Sequence, residues 1–218
     1  MLKNLTFDQI CHEHVTYYSL KVFEKIINQN GLKLLDVKLN EINGGSIEII
    51  CSHDDSKRDV NNNLIDYLKN DESKITHKSF SNFNKRIFKI KKDLRNFLFN
   101  KKNVIAYGAS TKGNIVLNLC ELSSKELEFV CDANHKKFGS FTPGSNIKII
   151  SKEKMRKIFP KYLLVLIWSF RNEVIKQEEE YVKSGGNLIF HLPKFHIINK
   201  KNYRSYLNKS FNDMSYKY

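Results

Sequence analysis

Val104–Asn114 reads VIAYGASTKGN, and the architecture of the whole chain can be worked outward from it. Val104, Ile105 and Ala106 form an apolar run with charged residues behind and a glycine ahead, the pattern of a buried strand entering a tight turn. Gly108, Ala109 and Ser110 are small enough for backbone amides to approach a ligand. Lys112 and Gly113 then lead into Asn114, Ile115, Val116, Leu117 and Leu119, a helix with an apolar face. Strand, small-residue turn and helix N-terminus together present unpaired amides and a favourable dipole to an anion. The dinucleotide fingerprint G-x-G-x-x-G is not met, because its first two glycine slots hold Gly108 and Ser110, and the stretch is not a Walker loop either. A Rossmann-like βα turn is the expectation, with a plain structural turn as the alternative.

Composition bounds what surrounds this unit. A chain of 218 residues can form one large domain or two small ones, and 41% hydrophobic residues with 12% aromatics supply ample core. Three prolines and nine glycines exclude a collagenous or linker-like chain. No run of ~18 apolar residues spans a membrane, and no apolar segment follows Met1–Lys3 as a secretory signal would require. Cys11, Cys51, Cys120 and Cys131 are widely spaced with no C-x-x-C pair. Reduced thiols, a cytoplasmic location and no zinc or other metal site are expected. The net charge of +14 is uneven: residues 74–102 carry ten Lys/Arg against one acid and residues 194–218 six against one, which accounts for the whole excess. A basic helix can follow a phosphate backbone, but no nucleic-acid-binding motif accompanies the charge, and a lysine-rich coding bias explains it as well.

Taken in order, residues 1–16 end in His12-Glu13-His14. If that segment is extended, His12 and His14 share one face while Cys11, Glu13 and Val15 share the other. Two histidines and a carboxylate offer a base with an orienting partner, whereas a zinc site would need a ligand from elsewhere. Tyr18–Asn30 reads as an amphipathic helix with Leu20, Phe23, Ile26 and Ile27 inward, stopped by Gly31. Leu32–Leu39 and Ser46–Cys51 read as paired strands, with Gly44-Gly45 supplying positive-φ freedom to the turn and close access for a ligand. Residues 52–63 are loop-like. A long helical region follows over roughly 61–100, with Phe80, Phe83, Ile87, Ile90, Leu94 and Phe97 as a seam bracing two domains. Beyond the opening motif, strands are expected at Glu128–Cys131, Tyr162–Ile167 and Asn187–His191, with helices at Lys152–Ile158 and Asn172–Ser184. Asp132 and Trp168 stand at strand ends, where α/β ligand sites gather. The alternation over 103–192 implies a small parallel sheet wrapped by helices, and the final basic, tyrosine-rich stretch is expected to fray.

The blocks FDQICHEHVTYYSL, GLKLLDV, INGGSIEI, VIAYGASTKGN, FVCDANHKKFGSFTPGSNIKI and VLIWSFRNEVI, in this order, resemble the C-terminal half of the S-adenosylmethionine-dependent sugar C-methyltransferases. Those enzymes methylate keto carbons of nucleotide-linked deoxysugars. The resemblance implies His14 as the base that removes the proton beside the keto group, with Glu13 its neighbour. Residues 103–198 would then be a Rossmann-like domain closing on the nucleotide sugar, with Gly44, Gly45, Tyr107, Gly108, Ala109, Ser110, Lys112, Gly113, Asn114, Asp132 and Trp168 as its candidate contacts. Two positions depart from the family pattern: Cys11 replaces its usual tyrosine, and Asn43 stands where histidine is frequent. The family's zinc module and glycine-rich donor domain have no counterpart in these residues. Residues 1–52 resemble only the closing strands of a class I methyltransferase sheet, 53–102 a helical bridge and 199–218 a basic tail. The expectation is therefore half of a split or truncated methyltransferase, with S-adenosylmethionine held by a partner chain. Alternatives are a non-catalytic nucleotide-sugar-binding remnant, a basic nucleic-acid-binding protein and a nicotinamide-dependent reductase.

Overall fold

The computed structural model describes residues 1–207 and 209–217; positions 208 and 218 of the expected basic tail lie outside the described residues. The larger of two sheets has six strands: β3 (Val104–Tyr107), β4 (Phe129–Asp132), β5 (Ile149–Ser151), β6 (Tyr162–Val165), β7 (Asn187–Phe190) and β8 (His196–Ile198). Their spatial order is β5-β4-β3-β6-β7-β8, parallel except for the last, which runs antiparallel to β7. Every residue of β3 is buried, as are Leu163–Val165 and Leu188–Phe190, because helices cover both faces of a parallel sheet. From β3 the chain steps outward to β4 and β5, then returns to lay β6 on the other side of β3. This reversal opens a crevice at the carboxyl ends of β3 and β6, the place where such sheets bind ligands.

The smaller sheet is the antiparallel pair β1 (Leu32–Asn40) and β2 (Ser46–His53). It shares a separate core with α1 (Leu20–Asn28) and α2 (Asn62–Glu72) through Leu20, Ile27, Leu34, Val37, Ile65 and Leu68. Ile26, expected inward, lies on the exposed side of α1. The single helical region expected over 61–100 is two helices. Residues 73–76 separate α2 from α3 (His77–Leu98), where Thr76 and Ser79 form a reciprocal cap. The helices serve different cores: α2 packs on the hairpin, and α3 sends Phe83, Ile87, Ile90, Leu94 and Leu98 into the large core. Phe80 is exposed, and Phe97 sits at the edge of the seam, its ring edge-on to Tyr162. Some of the basic charge on α3 is used locally. Lys91 pairs with Glu121 at 2.7 Å, and Arg95 donates to the carbonyls of Cys120 and Glu121.

The remaining helices are α4 (Thr111–Leu119), α5 (Lys152–Ile158), α6 (Arg171–Gln177), α7 (Glu179–Lys183) and α8 (Tyr203–Tyr206). The helix expected over Asn172–Ser184 is thus the pair α6 and α7. The described residues of the terminal stretch pack against the body, contrary to the expected fraying. Phe211 and Met214 are buried, the Tyr216 amide donates to Lys3 O at 2.7 Å, and the buried guanidinium of Arg171 lies over the Phe211 ring. The N-terminal residues also belong to the large body, with Leu5 and Phe7 part of its core. Residues 1–52 therefore divide between the two cores. Among the described residues no helix is long and apolar enough to cross a membrane.

Candidate functional site

The crevice between β3 and β6 is a cavity of about 330 Å³, walled by Cys11, Glu13 and His14 on one side, by Ser110–Lys112 on another, and by Leu166–Phe170 and Asp8. Its floor follows from three close approaches. Gly108, at φ +99°, passes so near Ile167 that an added Cβ would lie 2.6 Å from its Cγ2. Gly44, at φ +85°, lies against the Trp168 indole, and a Cβ there would collide with Cη2 and Cζ2. Trp168, 1% exposed, donates its indole N–H to Asp8 Oδ2 at 2.8 Å. Burial raises the Asp8 pKa above its ordinary value, against the opposing pull of the Trp168 hydrogen bond and the Lys112 charge.

The β1–β2 turn is fastened to this floor by bonds from the N-terminal segment, from α4 and from the C-terminal stretch. Asn4 Nδ2 donates to Gly44 O at 2.8 Å, and Gln9 Nε2 to Asn43 O at 3.1 Å. Lys112 Nζ donates to Asn43 Oδ1 at 2.8 Å, and the Phe211 amide to Glu41 Oε1 at 2.9 Å. A second, larger cleft of about 510 Å³ shares Glu13, His14 and Asn43 with it and is lined also by Gln9, Val15–Tyr18, Gly45 and Ser46. The two cavities therefore meet at the Glu13-His14 turn.

That turn is not extended. The His14 amide donates to Cys11 O at 3.0 Å, which curls residues 11–14 and leaves His12 and Glu13 exposed. His12 Nε2 lies 4.0 Å from Glu13 Oε1, at the outer limit of an ion pair. His14 Nδ1 lies 2.7 Å from Gln9 O. A carbonyl only accepts, so Nδ1 carries the hydrogen, and in the neutral ring the lone pair is on Nε2. The geometry thus fixes the orientation of the His14 imidazole and leaves Nε2 unengaged by that bond.

Of the residues expected at the site, the structure brings Cys11, Glu13, His14, Ser110, Lys112 and Trp168 to one cavity, with Gly44 beneath Trp168 and Gly45 on the larger cleft. Gly108, Ala109, Gly113 and Asp132 instead build the β3–α4 turn. Tyr107 points elsewhere: its hydroxyl donates to Glu178 Oε1 at 2.9 Å, and burial beside that carboxylate raises its pKa. Asp132 Oδ2 accepts the Ala109 amide at 2.8 Å, so it orients the β3–α4 loop. Ser110 caps α4 by accepting the Gly113 amide at 3.0 Å, and Gly113 fits against Gly108 O and Leu166. Asn114 lies one residue further along α4, half-buried, its carbonyl accepting from Asn118 Nδ2. Asp8 and Phe170 were not expected. Asp8 has a sequence signal, an acid just after Leu5 and Phe7, but its partner lies 160 residues away. Among the described residues no group of three or more His, Cys, Asp or Glu side chains is placed to hold a metal ion.

A family model described as the C-methyltransferase C-terminal domain matches residues 41–193. The chain is also 31% identical over 204 residues to C-methyltransferase NovU of Streptomyces niveus, an alignment that takes in 91% of this chain and 49% of that protein. The chain thus spans about half the length of the curated relative it matches.

Proposed function

Because this chain belongs to the family of C-methyltransferase C-terminal domains, we propose that it serves C-methylation of a keto nucleotide-sugar, supplying the general base and the sugar-nucleotide pocket. The observation that carries this reading is the meeting of an oriented histidine and a helix N-terminus in one cavity at the sheet's reversal point. The amides at the start of α4 and the Lys112 ammonium suit a diphosphate. Lys112 would exchange its bond to Asn43 for one to phosphate. A sugar extending from that diphosphate toward the turn brings its keto carbon's neighbour to His14 Nε2. Proton removal there leaves the carbon nucleophilic, which transfer of a methyl group to carbon requires.

S-adenosylmethionine, as the donor, supplies the methyl group on a positively charged sulfur. The strand–glycine turn–helix unit at Val104–Leu119 already faces the sugar-nucleotide cavity, and the open cleft beyond His14 offers no comparable cradle for a second nucleoside. The residues described here do not fit the donor. We assign it to another domain or a partner chain.

Calorimetric titration with dTDP and, separately, with S-adenosylmethionine tests the reading. Binding of dTDP without response to S-adenosylmethionine is expected, with Lys112→Ala weakening dTDP by about tenfold or more, the order of a hydrogen bond to a charged group. Silence toward dTDP, or tight binding of S-adenosylmethionine, would overturn it.

A further inference from the structure

The carbonyl of Gln9 is crowded. It accepts the Cys11 amide at 3.0 Å, His14 Nδ1 at 2.7 Å and the Tyr17 hydroxyl at 2.9 Å. A carbonyl oxygen has two lone pairs, so three donors share two sites and one is held weakly. The Cys11 amide is fixed in the backbone of the turn, and the His14 ring is the base. Tyr17 is the donor free to leave, since its hydroxyl sits at the end of a long side chain that is 47% exposed. Gln9 itself is tied through its side-chain amide to Asn43 and hence to the cavity floor. The phenol and the imidazole are therefore neighbours around one anchored oxygen, and both line the larger cleft.

Proton removal beside a ketone transfers charge to the keto oxygen, which needs a hydrogen-bond donor in place as the charge develops. The larger cleft also carries the hydroxyls of Thr16, Tyr18 and Ser46, but that of Tyr17 is bonded to the same oxygen as the His14 ring. Cys11 offers only a weak S–H, and Lys112 and Ser110 stand across the cavity at the start of α4. Partial burial and the neighbouring Cys11 raise the pKa of Tyr17 above its usual value of 10.0, so the O–H is retained at neutral pH.

We propose that Tyr17 is a second catalytic residue, its hydroxyl passing from Gln9 O to the keto oxygen of the substrate as His14 Nε2 takes the neighbouring proton. In that step the C–H electron pair becomes the carbon–carbon double bond, the carbonyl π pair moves onto oxygen, and the proton ends on Nε2. Tyr17 donates a hydrogen bond and keeps its proton. The assignment rests on His14 being the base.

The step needs no methyl donor, so the chain can be tested alone. The probe is dTDP-4-keto-6-deoxyglucose in deuterium oxide, with exchange of the hydrogens beside the keto group followed by NMR across a range of pH. Wild-type chain is expected to accelerate exchange, His14→Ala to abolish the acceleration, and Tyr17→Phe to slow it by about 100-fold, the order seen when one such donor is removed. Tyr17→Phe should keep dTDP affinity and the position of the pH profile, as only an oxygen is lost. Exchange by Tyr17→Phe at the wild-type rate would overturn the role of Tyr17 and leave the base assignment standing. So would a slow variant whose rate returns when the pH is shifted, because the phenol would then only orient the imidazole. No acceleration by wild-type chain that nonetheless binds dTDP would overturn the base assignment, and the role of Tyr17 with it.

Discussion

The floor of the cavity and the turn that overhangs it are built in opposite ways. Gly44, Trp168, Asp8 and Gly108 are all buried, and a Cβ added at Gly44 would strike Trp168 and one at Gly108 would strike Ile167. His12, Glu13 and His14 are exposed, and the turn they form is held chiefly by backbone bonds and the Gln9 carbonyl. Position is thus set by the core, while the segment we propose for the proton chemistry is short and mostly exposed. A group that must accept and release a proton keeps contact with solvent. The wall that fixes a substrate does not need it.

The sharpest break of this contrast is Gly44→Val. It places a branched side chain at positive φ against the Trp168 ring, and a loss of about 3 kcal/mol is expected from overpacking and backbone strain together. Urea unfolding measures it. A midpoint unchanged from wild type would mean that the floor is softer than its geometry implies. A pH-dependent effect concerns His191, which closes β7 beside Phe7, and His196, stacked between Phe190 and Tyr206. Burial lowers their pKa values from 6.5 to about 3 and about 4. The unfolded chain binds these protons and the folded chain refuses them. Their contribution is therefore complete above pH 6.5 and is lost as the pH falls toward about 4 and then 3. The slope is about 1.4 kcal/mol per pH unit for each histidine. Thermal unfolding between pH 7 and 4 should show this limb, and His191→Phe should reduce its slope. Smallest is His14→Ala, expected to move stability by under about 0.5 kcal/mol, as exposed substitutions do. A much larger loss would show that the turn is part of the structural frame.

The same division governs what can be read from the sequence. Val104–Tyr107, Leu163–Val165 and Leu188–Phe190 announce themselves as unbroken apolar runs, because both faces of their strands are covered. The glycine turn after β3 is equally plain, since its conformation selects its residues. His196–Ile198 is not plain: three residues on an antiparallel edge leave no period to detect. Nor does the terminal stretch reveal itself, because Phe211 and Met214 are buried against Trp168 and Arg171, some 40 residues away in sequence. The break at 73–76 hides in a helical composition and is made by a local cap. At the site, the chemistry of His14 and Lys112 is legible from residue type. The assembly of Asp8, Asn43 and Trp168 around them depends on contacts between distant segments, which no local pattern encodes.

The most direct test is a crystal structure of the chain with dTDP-4-keto-6-deoxyglucose. The diphosphate is expected on the amides of Ser110–Lys112, with the carbon beside the keto group facing His14 Nε2. A nucleotide seated away from the β3–β6 crevice, or a sugar directed away from the Glu13-His14 turn, would contradict that placement.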